Sequence, residues 1–209
     1  MIDVLISGGP VMIPLGLVSL AALAIILERL WVLRRSNYLD LGTIGTLSSL
    51  LVGREYRSAV DLCHRRGGPF AEMVSVLIEN RQAPYDELKE ILEDTGRHQL
   101  LGLQRGLHAL ATIVEGAPLL GLLGTVTGMI KIFGAVSAAG AAITEKLSAG
   151  IAEALITTAA GLIIAIPALF VHSYLDKRAE GILADIEKQL LDFLHLVRRD
   201  GERAAAGGA

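Results

Sequence analysis

Between residues 4 and 27 the chain carries no charged side chain. About 20 apolar residues are enough for a helix to cross a bilayer. Inside the bilayer a segment must satisfy its own backbone polar groups, and only helices and closed barrels do so. This one stretch therefore excludes most soluble architectures. Pro10 and Pro14 suit the start of a helix better than its middle, which places the span at 13–33, after a short external segment at 1–12. A cleaved leader is the competing reading, because Ala22 and Ala24 offer a small-x-small match. A leader carries its basic residues ahead of the apolar run. Here Met1, Ile2 and Asp3 supply none, and Arg29, Arg34 and Arg35 come after it. That order predicts an anchor with its N-terminus outside.

Two further spans follow. Residues 147–175 hold a single charge, Glu153, and predict a span at 148–175. The region 109–136 is less clean, since Glu115 and Lys131 lie within it. Both stand near its ends, where a long side chain reaches the headgroups. A mean hydropathy of +0.53 is high for a soluble domain and low for a bundle that is all membrane, which implies apolar spans plus a polar remainder. The reading is an all-α membrane protein: three transmembrane helices with long helical cytoplasmic extensions.

Lys and Arg set the orientation. Residues 34–108 hold ten of the 19 basic residues, and the tail from 176 to 209 holds six more. The first twelve residues hold none, and the loop at 137–147 holds only Lys146. The N-terminus and that loop are thus expected outside, and the 34–108 region and the C-terminal tail on the cytoplasmic side. The middle region reads as helices over 56–66, stopped by Gly67-Gly68-Pro69, over 70–80, and over 85–108, the last running straight into the second span. The tail places Ile182, Leu183, Ile186, Leu190, Leu194 and Val197 on one stripe and continues the third span, while the final AAAGGA reads as disordered.

Helical wheels of the second and third spans carry the functional signal. Gly121, Gly124, Thr125 and Gly128 share one face of the second, opposite Leu119, Leu122, Leu123, Val126 and Ile130. In the third, Glu153, Thr157, Gly161 and Ala165 are spaced by four, widened by Gly150, Ala154, Thr158 and Ala168. Both spans offer a smooth, hydroxyl-bearing face. At ~1.5 Å rise per residue, Thr125 and Thr158 reach similar depths near the midplane, with Glu153 toward the outer mouth. The bland reading is tight helix packing through Gly124-x-x-x-Gly128, with Thr bonded to its own backbone. Pro118 and Pro167 read as tolerated kinks in packed helices.

Two segments then stand out: APLLGLLGTVTGMI at 117–130, and IAEALITTAAGL at 151–162 followed by AIPA at 165–168. In this order they resemble the MotA/TolQ/ExbB proton-channel family, and the three-span plan is most similar to its ExbB and TolQ branches. The resemblance implies a homopentamer around a pore that holds two copies of a single-span ExbD/TolR-like partner, with room for a TonB- or TolA-like protein. It places Thr125, Thr158 and Glu153 on the ion path and the proton-accepting Asp on the partner; Thr157, one turn from Glu153 on the same stripe, is taken as an ion-path residue with them. At Thr127 many relatives carry a large aromatic.

The residues themselves support one point of this. A proton path wants a titratable group near the midplane, and Thr does not titrate usefully. The chain alone is an incomplete conductor, so a partner supplies a carboxylate or the protein is a structural scaffold. The conducted ion is read as a proton, with sodium left open. No enzyme, cofactor or metal is expected: there is no catalytic pair, no nucleotide loop and no ligand spacing among His64, His98, His108, His172 and His195. With a net charge of -3, nothing points to nucleic acid, and none is expected as a partner.

Overall fold

The computed structural model describes residues 8–34, 38, 40–138 and 143–206. Their regular structure is entirely helical: α1 (Met12–Val32), α2 (Leu41–Val52), α3 (Tyr56–Arg66), α4 (Pro69–Glu79), α5 (Tyr85–Gln104), α6 (Leu107–Ala138) and α7 (Ile143–Ala206). Three stretches among the described residues are long and apolar enough to cross a membrane, Met12–Val32, Leu107–Gly134 and Ser148–Val197. The chain is an all-α membrane protein. Most of the expected N-terminal segment, the centre of the loop expected at 137–147, and the last three residues lie outside the described residues.

The chain divides into two units. The first comprises Met1–Leu30 and Gly106–Leu175, hence most of α1, all of α6 and the first part of α7. Lipid tails are as apolar as leucine, so helices here associate through close van der Waals contact, which small residues permit. The structure shows that contact directly. A methyl group added at Gly161 would stand 2.6 Å from the Ala117 carbonyl oxygen, and one at Gly121 would stand 2.9 Å from that of Thr157. The bulky residues turn outward, with Leu119, Ile130, Ile163 and Phe170 all largely exposed.

The second unit, Trp31–Arg105 and Asp176–Ala209, is built around its own apolar core. Asp40 caps α2: the Gly42 N–H donates to its Oδ1 at 3.1 Å and the Thr43 hydroxyl to its Oδ2 at 3.0 Å. Arg66 closes on the same carboxylate at 2.7 Å. The Gly42 and Thr43 bonds, with the Arg66 charge behind them, hold the Asp40 carboxyl below its ordinary 3.8. Pro69 opens α4 at a position where its missing N–H costs nothing. One face of α4 then buries Phe70, Met73, Val74, Leu77 and Ile78. Leu88 of α5 and Ile186, Leu190 and Phe193 of α7 complete the core, with the Phe70 and Phe193 rings 6.0 Å apart. Each such side chain contributes roughly 1.5–3 kcal/mol when fully buried.

Two expectations are corrected. The helix expected over 85–108 does not run straight into the second span: α5 stops at Gln104, and α6 starts at Leu107. Gly106 has φ +89, in the left-handed region that favours glycine, and the chain leaves the helix there. Of the end expected to be disordered, residues 204–206 continue α7, in keeping with the high helix propensity of alanine, and residues 207–209 lie outside the described residues.

Candidate functional site

The small faces of α6 and α7 meet within this one chain. Gly121 lies against Thr157 and Thr158, Gly124 against the Thr157 side chain, Gly128 against Ala154 and Gly150, and Gly161 against Ala117. The contact pairs residues three and four apart on each helix, as close helix packing requires. Pro118 and Pro167 sit inside α6 and α7, where each removes a backbone donor and leaves one carbonyl without its helical partner.

The four hydroxyls are all engaged. Thr125 Oγ1 donates to the Leu122 carbonyl at 2.7 Å. Thr127 Oγ1 donates to Leu123 and Gly124 at 2.9 and 3.0 Å. Thr157 is 1% exposed and donates to Ala154 at 2.8 Å. Thr158 Oγ1 reaches across to α7's neighbour helix and donates to the Gly121 carbonyl of α6 at 3.2 Å. A hydroxyl has one donor. With that donor spent, what Thr125 and Thr158 offer a visiting group is an acceptor oxygen.

The structure thus separates residues that one stripe had joined. Thr157 enters the helix–helix contact, while Thr125 and Thr158 remain half-buried at its edges. Because Thr158 bonds at the level of Gly121, it stands one helical turn, ~6 Å, from Thr125 in the same chain. Along the α6 axis the two threonines are therefore staggered.

Glu153 has a partner that sequence reading missed. The Lys131 ammonium, expected to reach for the headgroups, lies 2.6 Å from Glu153 Oε1. Gly9, with φ +68, packs on the same carboxylate oxygen, at the end of the turn in which its carbonyl accepts from the Met12 N–H at 3.1 Å. The available signal was two opposite charges at comparable distances from one loop. Glu115 is exposed on α6. Residues 116–130 and 154–171 contain no titratable side chain. Among the described residues no group of three or more His, Cys, Asp or Glu is placed to hold a metal ion.

Fold and site together define an integral membrane protein whose second and third spans form a sealed pair, with one ion pair at its end. A family model, the MotA/TolQ/ExbB proton channel family, matches residues 67–188, which contain that pair. The chain belongs to this family. It is 31% identical over 200 residues to a biopolymer transport protein ExbB-like 1 of Synechocystis, covering 94% of this chain and 76% of that one. It is 34% identical over 126 residues to the Tol-Pal system protein TolQ of Haemophilus influenzae, covering 57% of this chain and 55% of that one. It is 43% identical over 95 residues to a biopolymer transport protein exbB1 of Vibrio cholerae, covering 45% of this chain and 40% of that one.

Proposed function

We propose that the chain is the proton-conducting stator subunit of an ion-driven motor in the bacterial inner membrane, energising transport or an envelope process. It is not an enzyme in this reading. Its partners are further copies of itself, as a homopentamer, and two copies of a single-span ExbD/TolR-like protein whose Asp carries the proton, with a TonB- or TolA-like protein downstream. Family membership supports the class. The observation that carries the mechanism is the long stretch of both spans without a titratable group, edged by the acceptor oxygens of Thr125 and Thr158. Such a surface hydrogen-bonds a partner's carboxylic acid and does not compete for its proton. The drive is about 2.3 kcal/mol per charge per 100 mV.

A scaffold is the second reading, and a specific observation favours it. The small faces are already consumed inside one chain, and every hydroxyl already has a backbone acceptor. The deciding experiment replaces Thr125 and Thr158 by valine and follows ion-driven work in cells at matched protein level. Full activity in both variants favours the scaffold.

The N-out, C-in orientation is part of the proposal. Native Cys63 is a poor reporter of it, because burial pushes its thiol up to about 11. Cys63 is expected to resist maleimide in the folded protein from either side and to react on unfolding. A cysteine placed at the exposed Gln82 is the better probe. Labelling of Gln82→Cys should require opened cells; labelling in intact cells overturns the orientation.

A further inference from the structure

Along residues 116–138 of α6 and 147–175 of α7, Lys131 and Glu153 are the only charged side chains. They meet at 2.6 Å. The backbones that carry them are pinned on both sides of the pair. A methyl group at Gly128 would stand 3.1 Å from the Ala154 Cβ, and Gly150 lies directly against Ile132. Glu153 keeps about a quarter of its side-chain surface open and Lys131 about half, so the pair lies at an accessible end of the helix contact rather than within it.

We infer that Lys131 is a specificity-determining residue of the ion path proposed above: its tethered ammonium fills the cation position at the Glu153 carboxylate, so that protons reach that carboxylate and metal cations do not. A sodium ion arriving at Oε1 must displace a cation tethered beside it. A group on a short tether competes at an effective concentration of about millimolar or more, here raised by the fixed helix backbones. The ammonium also donates a hydrogen bond to the oxygen, which a metal ion does not. Any metal that entered beside it would stand in contact with a like charge. Gly9, packed on the same oxygen, narrows the approach further. A proton meets the same ammonium charge, but it is not held to the geometry a metal ion requires. It binds a carboxylate oxygen, neutralises Glu153, and frees the Lys131 ammonium to turn toward water, so no vacant coordination site is needed. Lysine suits the role as a compact point charge on a flexible stem.

The inference rests on the ion-path reading, and its test is chosen to fail separately. Infrared difference spectra of the purified full chain, recorded in sodium chloride against choline chloride, report the Glu153 carboxylate stretch. Wild type and Lys131→Arg should show no sodium-dependent shift. Lys131→Gln, which keeps a donor and drops the charge, should gain one, and the shift should vanish in Lys131→Gln/Glu153→Gln. A sodium shift in wild type that is lost in Glu153→Gln overturns the assignment, as does its absence in folded Lys131→Gln. Should Lys131→Gln not fold, wild type and Lys131→Arg still decide: a sodium shift at Glu153 in either overturns the assignment, and none in both supports it. These spectra need no ion-driven work, so a protein that proves to be a scaffold is exposed by the threonine variants and not here.

Discussion

Gly161→Leu should leave the protein unable to pair its second and third spans. The contact at Gly161 is to backbone: the added Cβ would meet the Ala117 carbonyl oxygen at 2.6 Å, with Gly121 Cα at 3.3 Å. A flexible side chain could move aside, but two helix backbones cannot without separating along their length. Overpacking in a rigid contact costs about 1–3 kcal/mol, and this one adds a large side chain where even one carbon clashes. The cost here falls at or above the top of that range, because separation also forfeits the contacts at Gly124 and Gly128. Gly116→Ala is the control on the same face-forming helix, since nothing lies within 4 Å of its position. It should be neutral or stabilise by up to about 1 kcal/mol through helix propensity. Thermal unfolding in detergent and the yield of folded protein check both. A normal melting profile for Gly161→Leu contradicts the helix contact. A severe defect in Gly116→Ala would reveal a neighbouring copy at that site.

How much of this was legible in the sequence depends on the range over which each signal acts. Local signals were readable. Uncharged runs announce spans because a bilayer excludes charge, and Gly67-Gly68-Pro69 marks the break between α3 and α4 because two glycines free to take positive φ precede a proline suited to a helix start. Gly106 was not readable. Glycine occurs within helices as well as at their ends, and the charge and apolar pattern passes through it unbroken. Its φ of +89 is a choice made by the surrounding fold. The small stripes of α6 and α7 were found, but their occupant was not. A stripe spaced by four declares close approach without saying to what, and here it is the other half of the same chain. Spacing alone put Thr157 beside Glu153 among the ion-path residues; that Gly124 packs on it and buries it was not visible in the stripe. The Lys131–Glu153 pair spans 22 positions. Neither local pattern ties the two; the one signal was their comparable distance from the loop, and it speaks only once the two helices are known to return on each other.

Thr158→Val and Thr125→Val should abolish most ion-driven work and scarcely change stability. The two halves of this expectation come from different bonds. Thr158 loses its 3.2 Å bond to Gly121, and interhelical hydrogen bonds of this kind in membranes average ~0.6 kcal/mol. Thr125 loses only a bond within its own helix. Valine keeps the shape of each, so both variants should fold, assemble and melt close to wild type. The working path loses something else: the acceptor oxygen that would hold a partner's carboxylic acid between proton arrival and release. A loss of tenfold or more in rate corresponds to ~1.4 kcal/mol or more of lost stabilisation along the path. That exceeds the stability change and separates the two effects. Thr157→Val should invert the pattern. Its hydroxyl is buried and bonded to its own turn, so the variant disturbs packing on Gly124 while touching no passing ion. Glu153→Gln should impair work less completely than either threonine change, since Glu153 stands at the end of the helix contact beside Lys131. The measurements are ion-driven work in cells at matched protein level and thermal unfolding of the purified protein. Full work in both Thr125→Val and Thr158→Val sinks the hydroxyl mechanism. Loss of work accompanied by an equal loss of stability would reduce both residues to packing.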